Sequence, residues 1–179
     1  MGILHTHFLD FGGSYDIIRE KQEDKCMLSK PKHGWTHFQL EGTFIHGLSY
    51  LDDIASEWLD QAIHGLQTLQ PFCVKGFLEP RRFLCMVSYW NCHIVIEGDE
   101  RFELEKDDIH VEYSHTSMLD FCKYLYSDIS ENIEEWAGFV DYDSIPIEEK
   151  KKSLENKLKT LKDLIIANEK CFGDDRCFL

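Results

Sequence analysis

Apolar residues recur at spacings of three and four across residues 52–70, where Ile54, Ala55, Trp58, Leu59, Ala62, Ile63, Leu66 and Leu69 form one stripe. That period predicts an amphipathic helix. Asp52 and Asp53 can cap its first turn and place negative charge at its positive end, and Pro71 stops it. A second helix is predicted over about 116–139. Met118, Cys122, Leu125, Ile129, Ile133, Trp136 and Val140 line one face, and Ser117 and Asp120 stand in capping-box positions. After a break at 141–146, a third helix carries Leu154, Leu158, Leu161 and Ile165 on a narrow stripe.

Elsewhere the period is two. Residues 35–41 alternate Trp35, His37 and Gln39 against Thr36, Phe38 and Leu40, as a half-buried strand does, and 43–50 continue as a second strand after Gly42. Short strand-like runs follow at 72–78, 82–90, 92–97, 101–105 and 109–113. They are broken by Glu79-Pro80, Asn91, Gly98-Asp99 and Lys106-Asp107-Asp108. Spacing this close implies antiparallel neighbours, because parallel pairs need long crossovers. Residues 3–11 also read as a strand and Gly12-Gly13-Ser14 as a turn, with 15–19 and 25–28 able to pair as a hairpin. With no repeat or linker, the 179 residues predict a single α+β domain, an antiparallel sheet packed against two or three amphipathic helices. Residues 172–179 are expected to form a loosely ordered tail.

Composition narrows the function. The chain is 43% hydrophobic and 13% aromatic, enough to bury a core. Its 19 basic and 33 acidic residues give a net charge of -14, which argues against nucleic acid as a direct partner, since phosphate binding needs clustered Lys and Arg. An acidic surface suits a basic protein partner instead, or serves only solubility. No apolar run reaches the length of a membrane span, and no basic segment followed by an apolar stretch opens the chain. Seven scattered Cys, several within strand-like or helical runs, fit free thiols in a reducing compartment, so the expected location is the cytoplasm.

Candidate chemistry is sparse. His5-Thr6-His7 places two imidazoles on one face of a strand, where they could share a metal ion as in metal-dependent hydrolases. The other seven His show no comparable spacing, and a surface strand carrying two His is the competing account. No Gly-x-Ser-x-Gly elbow or Gly-rich phosphate loop occurs. Cys92 and His93 fall on opposite faces of a strand, which argues against a direct pair. Cys171 and Cys177 could close a small disulfide loop or remain two idle thiols. No catalytic residue and no cofactor is expected.

The distribution of negative charge is more informative. From Glu97 to Asp143 there are fifteen acidic residues and only Arg101, Lys106 and Lys123 to oppose them, a local balance of -12. The third helix is locally basic, at Lys150, Lys151, Lys152, Lys157, Lys159 and Lys162. Asp120, Asp128, Glu131, Glu134 and Glu135 fall largely off the apolar stripe of the second helix and are expected to face water. Asp99, Glu100, Asp107 and Asp108 would extend the same acidic area. These nine are the candidate partner-binding residues. Interleaved aromatics (Phe102, Tyr113, Tyr124, Tyr126, Tyr142) could anchor such an interface or belong to the core. A charged helix face can also be simply a solvated face.

Residues 36–97 carry a strand, then Ser49-Tyr50-Leu51-Asp52-Asp53, the helix with Trp58, Leu59, Ile63 and Leu66, and Glu79-Pro80-Arg81-Arg82-Phe83 leading into further strands. This pattern resembles a family of small bacterial α+β immunity proteins that protect against polymorphic or contact-dependent toxins. The chain departs from the family's usual helix start in having no Gly or Pro after the acidic pair. The resemblance implies a non-catalytic protein that occludes the active site of a basic, nuclease-like toxin, and it brings no catalytic residues. The rival expectations are a metal-dependent hydrolase using His5 and His7, and a structural adaptor that self-associates through the third helix.

Overall fold

A computed structural model of the protein describes residues 27–98, 109–140 and 142–172. The expected strands at 3–11, 15–19 and 101–105, the tail at 173–179, and both His5 and His7 lie outside the described residues.

The chain alternates ribbon, helix, meander and helices. Strands β1 (Trp35–Phe38) and β2 (His46–Ser49) pair antiparallel as a two-stranded ribbon. Helix α1 (Ile54–Thr68) follows. Then β3 (Phe72–Phe77), β4 (Arg82–Val87), β5 (Cys92–Glu97) and β6 (His110–Ser114) form a four-stranded antiparallel sheet in sequence order. Helices α2 (Met118–Glu131), α3 (Ile133–Ala137) and α4 (Ile147–Phe172) complete the fold. This is the expected α+β architecture, with four helices where two or three were expected.

The caps explain the helix boundaries. Asp53 accepts from the Ser56 backbone N–H at 3.1 Å and fixes the start of α1. Leu69, in the left-handed region at φ 51°, ends the helix two residues before Pro71. Ser117 likewise caps α2, accepting from the Asp120 N–H at 3.1 Å while its hydroxyl donates to the Asp120 carboxylate at 2.7 Å. The single helix expected over 116–139 is two, because Asn132 interrupts it. The Asn132 side-chain amide donates to the Asp128 carbonyl at 3.2 Å, and its backbone N–H turns to Ile129 O. A short polar side chain has taken the carbonyl that the next helical N–H would use.

One face of the four-stranded sheet holds the core. Phe72 and Val74, Phe83, Cys85 and Val87, then Cys92, Ile94 and Ile96 point inward at alternate positions. Against them lie Trp58 and Leu59 of α1, Phe121 and Leu125 of α2, and Phe38 and Leu48 of the ribbon, all buried. Aromatic rings knit these layers together. Phe38 meets Phe83 edge-on at 4.9 Å and Trp58 at 5.5 Å, and Phe72 meets Phe121 at 5.8 Å. The Trp58 indole N–H donates to Lys75 O at 2.8 Å, so a buried polar group is satisfied while its ring packs. Gly65 of α1 lets the helix close on β3, since a Cβ there would lie 2.3 Å from the Phe72 ring. Helix α4 packs across α1, α2 and α3 through the buried stripe Leu154, Leu158, Leu161 and Ile165, as the sequence period predicts. No helix among the described residues is long and apolar enough to cross a membrane.

Candidate binding surface

The acidic residues of the second predicted helix do not share one environment. Asp120 belongs to the α2 cap just described. Asp128 is only 5% exposed, which corrects the expectation that it faces water. Its Oδ2 accepts the backbone N–H groups of Met27 at 2.9 Å and Leu28 at 2.7 Å, so the carboxylate anchors the segment entering β1. Buried N–H groups need an acceptor, and this side chain is aimed at two of them.

Glu131, Glu134 and Glu135 cluster at the junction of α2 and α3 and remain accessible. The Ser127 hydroxyl donates to Glu131 at 2.8 Å. Lys151 of α4 pairs with Glu134, and Lys30 pairs with Glu135 at 2.6 Å. The Lys30 ammonium holds the Glu135 carboxyl below its usual range. Two further α4 lysines are also paired. Lys157 bonds Asp60 at 2.7 Å, and Lys150 pairs with Asp143 at 2.6 Å while donating to Val140 O. Charge segregated along the sequence is therefore interleaved in space wherever α4 crosses the other helices. Asp99, Glu100, Asp107 and Asp108 lie outside the described residues, in the connection between β5 and β6.

A second acidic feature escapes the sequence pattern. Glu112, on the inward face of β6, is 9% exposed. Its Oε1 lies 3.0 Å from His46 Nε2 and 3.2 Å from His110 Nε2, and its Oε2 accepts the Phe44 backbone N–H at 2.8 Å. The group ties the ribbon to the far edge of the sheet. Its only sequence signal is a carboxylate at an inward position of an alternating strand.

Among the described residues, no three His, Cys, Asp or Glu side chains could hold a metal ion. Cys73, Cys85, Cys92 and Cys122 are free thiols. Burial pushes the Cys85 and Cys122 thiols up, so both stay protonated core residues and are poor nucleophiles. A pocket of about 180 Å³ lies between the start of α1 and helices α3 and α4, walled by Asp53, Trp136 and Lys150. The Lys150 ammonium is already engaged there by Asp143 and Val140.

Exposed apolar residues are concentrated elsewhere. Trp90 is 64% exposed at the β4–β5 turn, with Met86, Val111 and Tyr113 on the outer face of the sheet. Phe44 and Ile45 project from the segment leading into β2. Of the candidate aromatics, Tyr113 and Tyr142 are exposed, whereas Tyr124 and Tyr126 are partly buried against the core. Comparison of the chain with protein-family models, curated proteins and solved structures gives no match.

Proposed function

We propose that this protein is a non-catalytic, acidic binding protein that neutralises a basic partner in the cytoplasm, as an immunity protein does when it occludes a nuclease-like toxin. The observation that carries this reading is the accessible trio Glu131, Glu134 and Glu135 at the α2–α3 junction, in a chain of net charge -14. Lys30 and Lys151 do not close the site to a partner. Exposed ion pairs are worth about 0–1 kcal/mol, so a partner's Arg or Lys can replace them at little cost. Long-range attraction between the acidic chain and a basic surface speeds encounter, while a few buried aromatic contacts supply most of the affinity. Tyr142, 63% exposed in the segment between α3 and α4, is a candidate anchor.

The test is capture of partners from the native host on the immobilised protein at low and high salt. The reading expects a basic protein, retained at low salt and weakened as salt rises. Capture of no basic protein at any salt contradicts it.

A further inference from the structure

The outer face of the four-stranded sheet does not look like a face built for water. A solvated antiparallel face alternates polar side chains outward. Here the register sets Leu84, Val95 and Val111 side by side in one row across β4, β5 and β6, with Lys75 of β3 at its edge, and Met86, His93 and Tyr113 in the next, with Cys73 at its edge. Met86 is 48%, Val111 56% and Tyr113 44% exposed. Below these rows, Arg82 of β4 and Glu97 of β5 face each other across the strands with a 2.8 Å ion pair.

We propose that this face is the contact between two copies of the chain, stacked sheet on sheet about a two-fold axis that runs parallel to the strands between β4 and β5. The argument is charge. Two chains of net charge -14 repel over most of their surfaces. On β4, β5 and β6 this face offers two rows without Lys, Arg or carboxylates, plus one cation and one anion at equal height on the two central strands, while Lys75 at the β3 edge is turned toward Asp52 and Glu57. The stated axis preserves height and exchanges β4 with β5. It therefore sets Arg82 over Glu97 of the partner subunit, Leu84 over Val95 of the partner subunit, and Met86 over His93 of the partner subunit. The face is self-complementary, as a two-fold interface must be. The twist of each sheet rotates the two stacks by about 30° and leaves the central pairs opposed. Four strands about 4.8 Å apart and about 20 Å long give a small face. At roughly 400 Å² per partner it is smaller than a standard stable interface, so a weak, transient dimer is expected, detectable only at high protein concentration. The acidic trio at the α2–α3 junction belongs to the helical layer on the other side of the sheet, so pairing leaves it free.

The experiment is sedimentation equilibrium of the full-length chain across a concentration series. A reversible monomer–dimer equilibrium is expected. Met86→Glu and Val95→Glu, at accessible positions, are each expected to weaken it about tenfold with unchanged thermal melting. Arg82→Glu is expected to weaken it about three-fold, and Arg82→Glu with Glu97→Arg to restore it, because the swap re-forms the pair both within and between copies. A chain that stays monomeric throughout, as it would if another segment of the same chain covered the face, overturns the proposal. So does a dimer that neither glutamate substitution weakens, which would place the contact elsewhere.

Discussion

At Asp128 a carboxylate gives up water for two backbone N–H groups from a segment a hundred residues earlier in the chain. Asp128→Ala removes the acceptor these two backbone N–H groups share and is expected to lower stability by roughly 2–4 kcal/mol in chemical denaturation. Asn, which keeps one acceptor oxygen, is expected to lose less. The periodicity of α2 could not show this role. Position 128 falls off the apolar stripe, and what turns it inward is a distant stretch of main chain. Asp52 behaves in the opposite sense. Burial raises its carboxyl above the ordinary value, with Lys75 only partly opposing the shift. A raised folded-state value means that protonation favours the fold. The contribution of Asp52 is fully present below the unfolded carboxylate range, near 3.9, and is lost as pH rises through its higher folded value. Asp52→Asn is thus expected to raise the melting temperature at pH 7 and to change it little in acid. A substitution that lowers the melting temperature at pH 7 would show that the Lys75 pairing outweighs burial.

Among the elements, the helices were the most legible in the sequence. The stripes through Trp58 and Leu161 give α1 and α4 because a long apolar period has few alternatives. The division of α2 from α3 was not legible, since it depends on the Asn132 side chain competing for one carbonyl. The meander strands follow their alternation, and β5 has the expected bounds. The joint between the ribbon and the sheet was hidden, because His46 comes from β2 and its partner Glu112 from β6, two strands that do not pair with each other. Glu112 bridges the two strands, and it also holds the Phe44 N–H. Glu112→Ala is expected to destabilise the protein by about 1–3 kcal/mol. Hydrogen exchange should then rise first at residues 43–47. Uniform loosening with those amides still protected would mean that other contacts hold the ribbon.

For the whole molecule, charge order along the chain proved a poor guide to charge order on the surface. The basic run of α4 looked segregated from the acidic stretch before it, yet the fold lays Lys151 against Glu134 and Lys150 against Asp143. A one-dimensional pattern cannot show which helices will cross. What survives is an accessible acidic trio, a strongly negative chain, and an apolar sheet face on the opposite side. The most direct test of the partner-binding account compares capture of the basic partner on the wild type and on a variant with Glu131, Glu134 and Glu135 all reversed to Lys. The account predicts that the variant melts like the wild type but captures the partner far less at low salt, chiefly through slower association. Equal capture by the folded variant would contradict it.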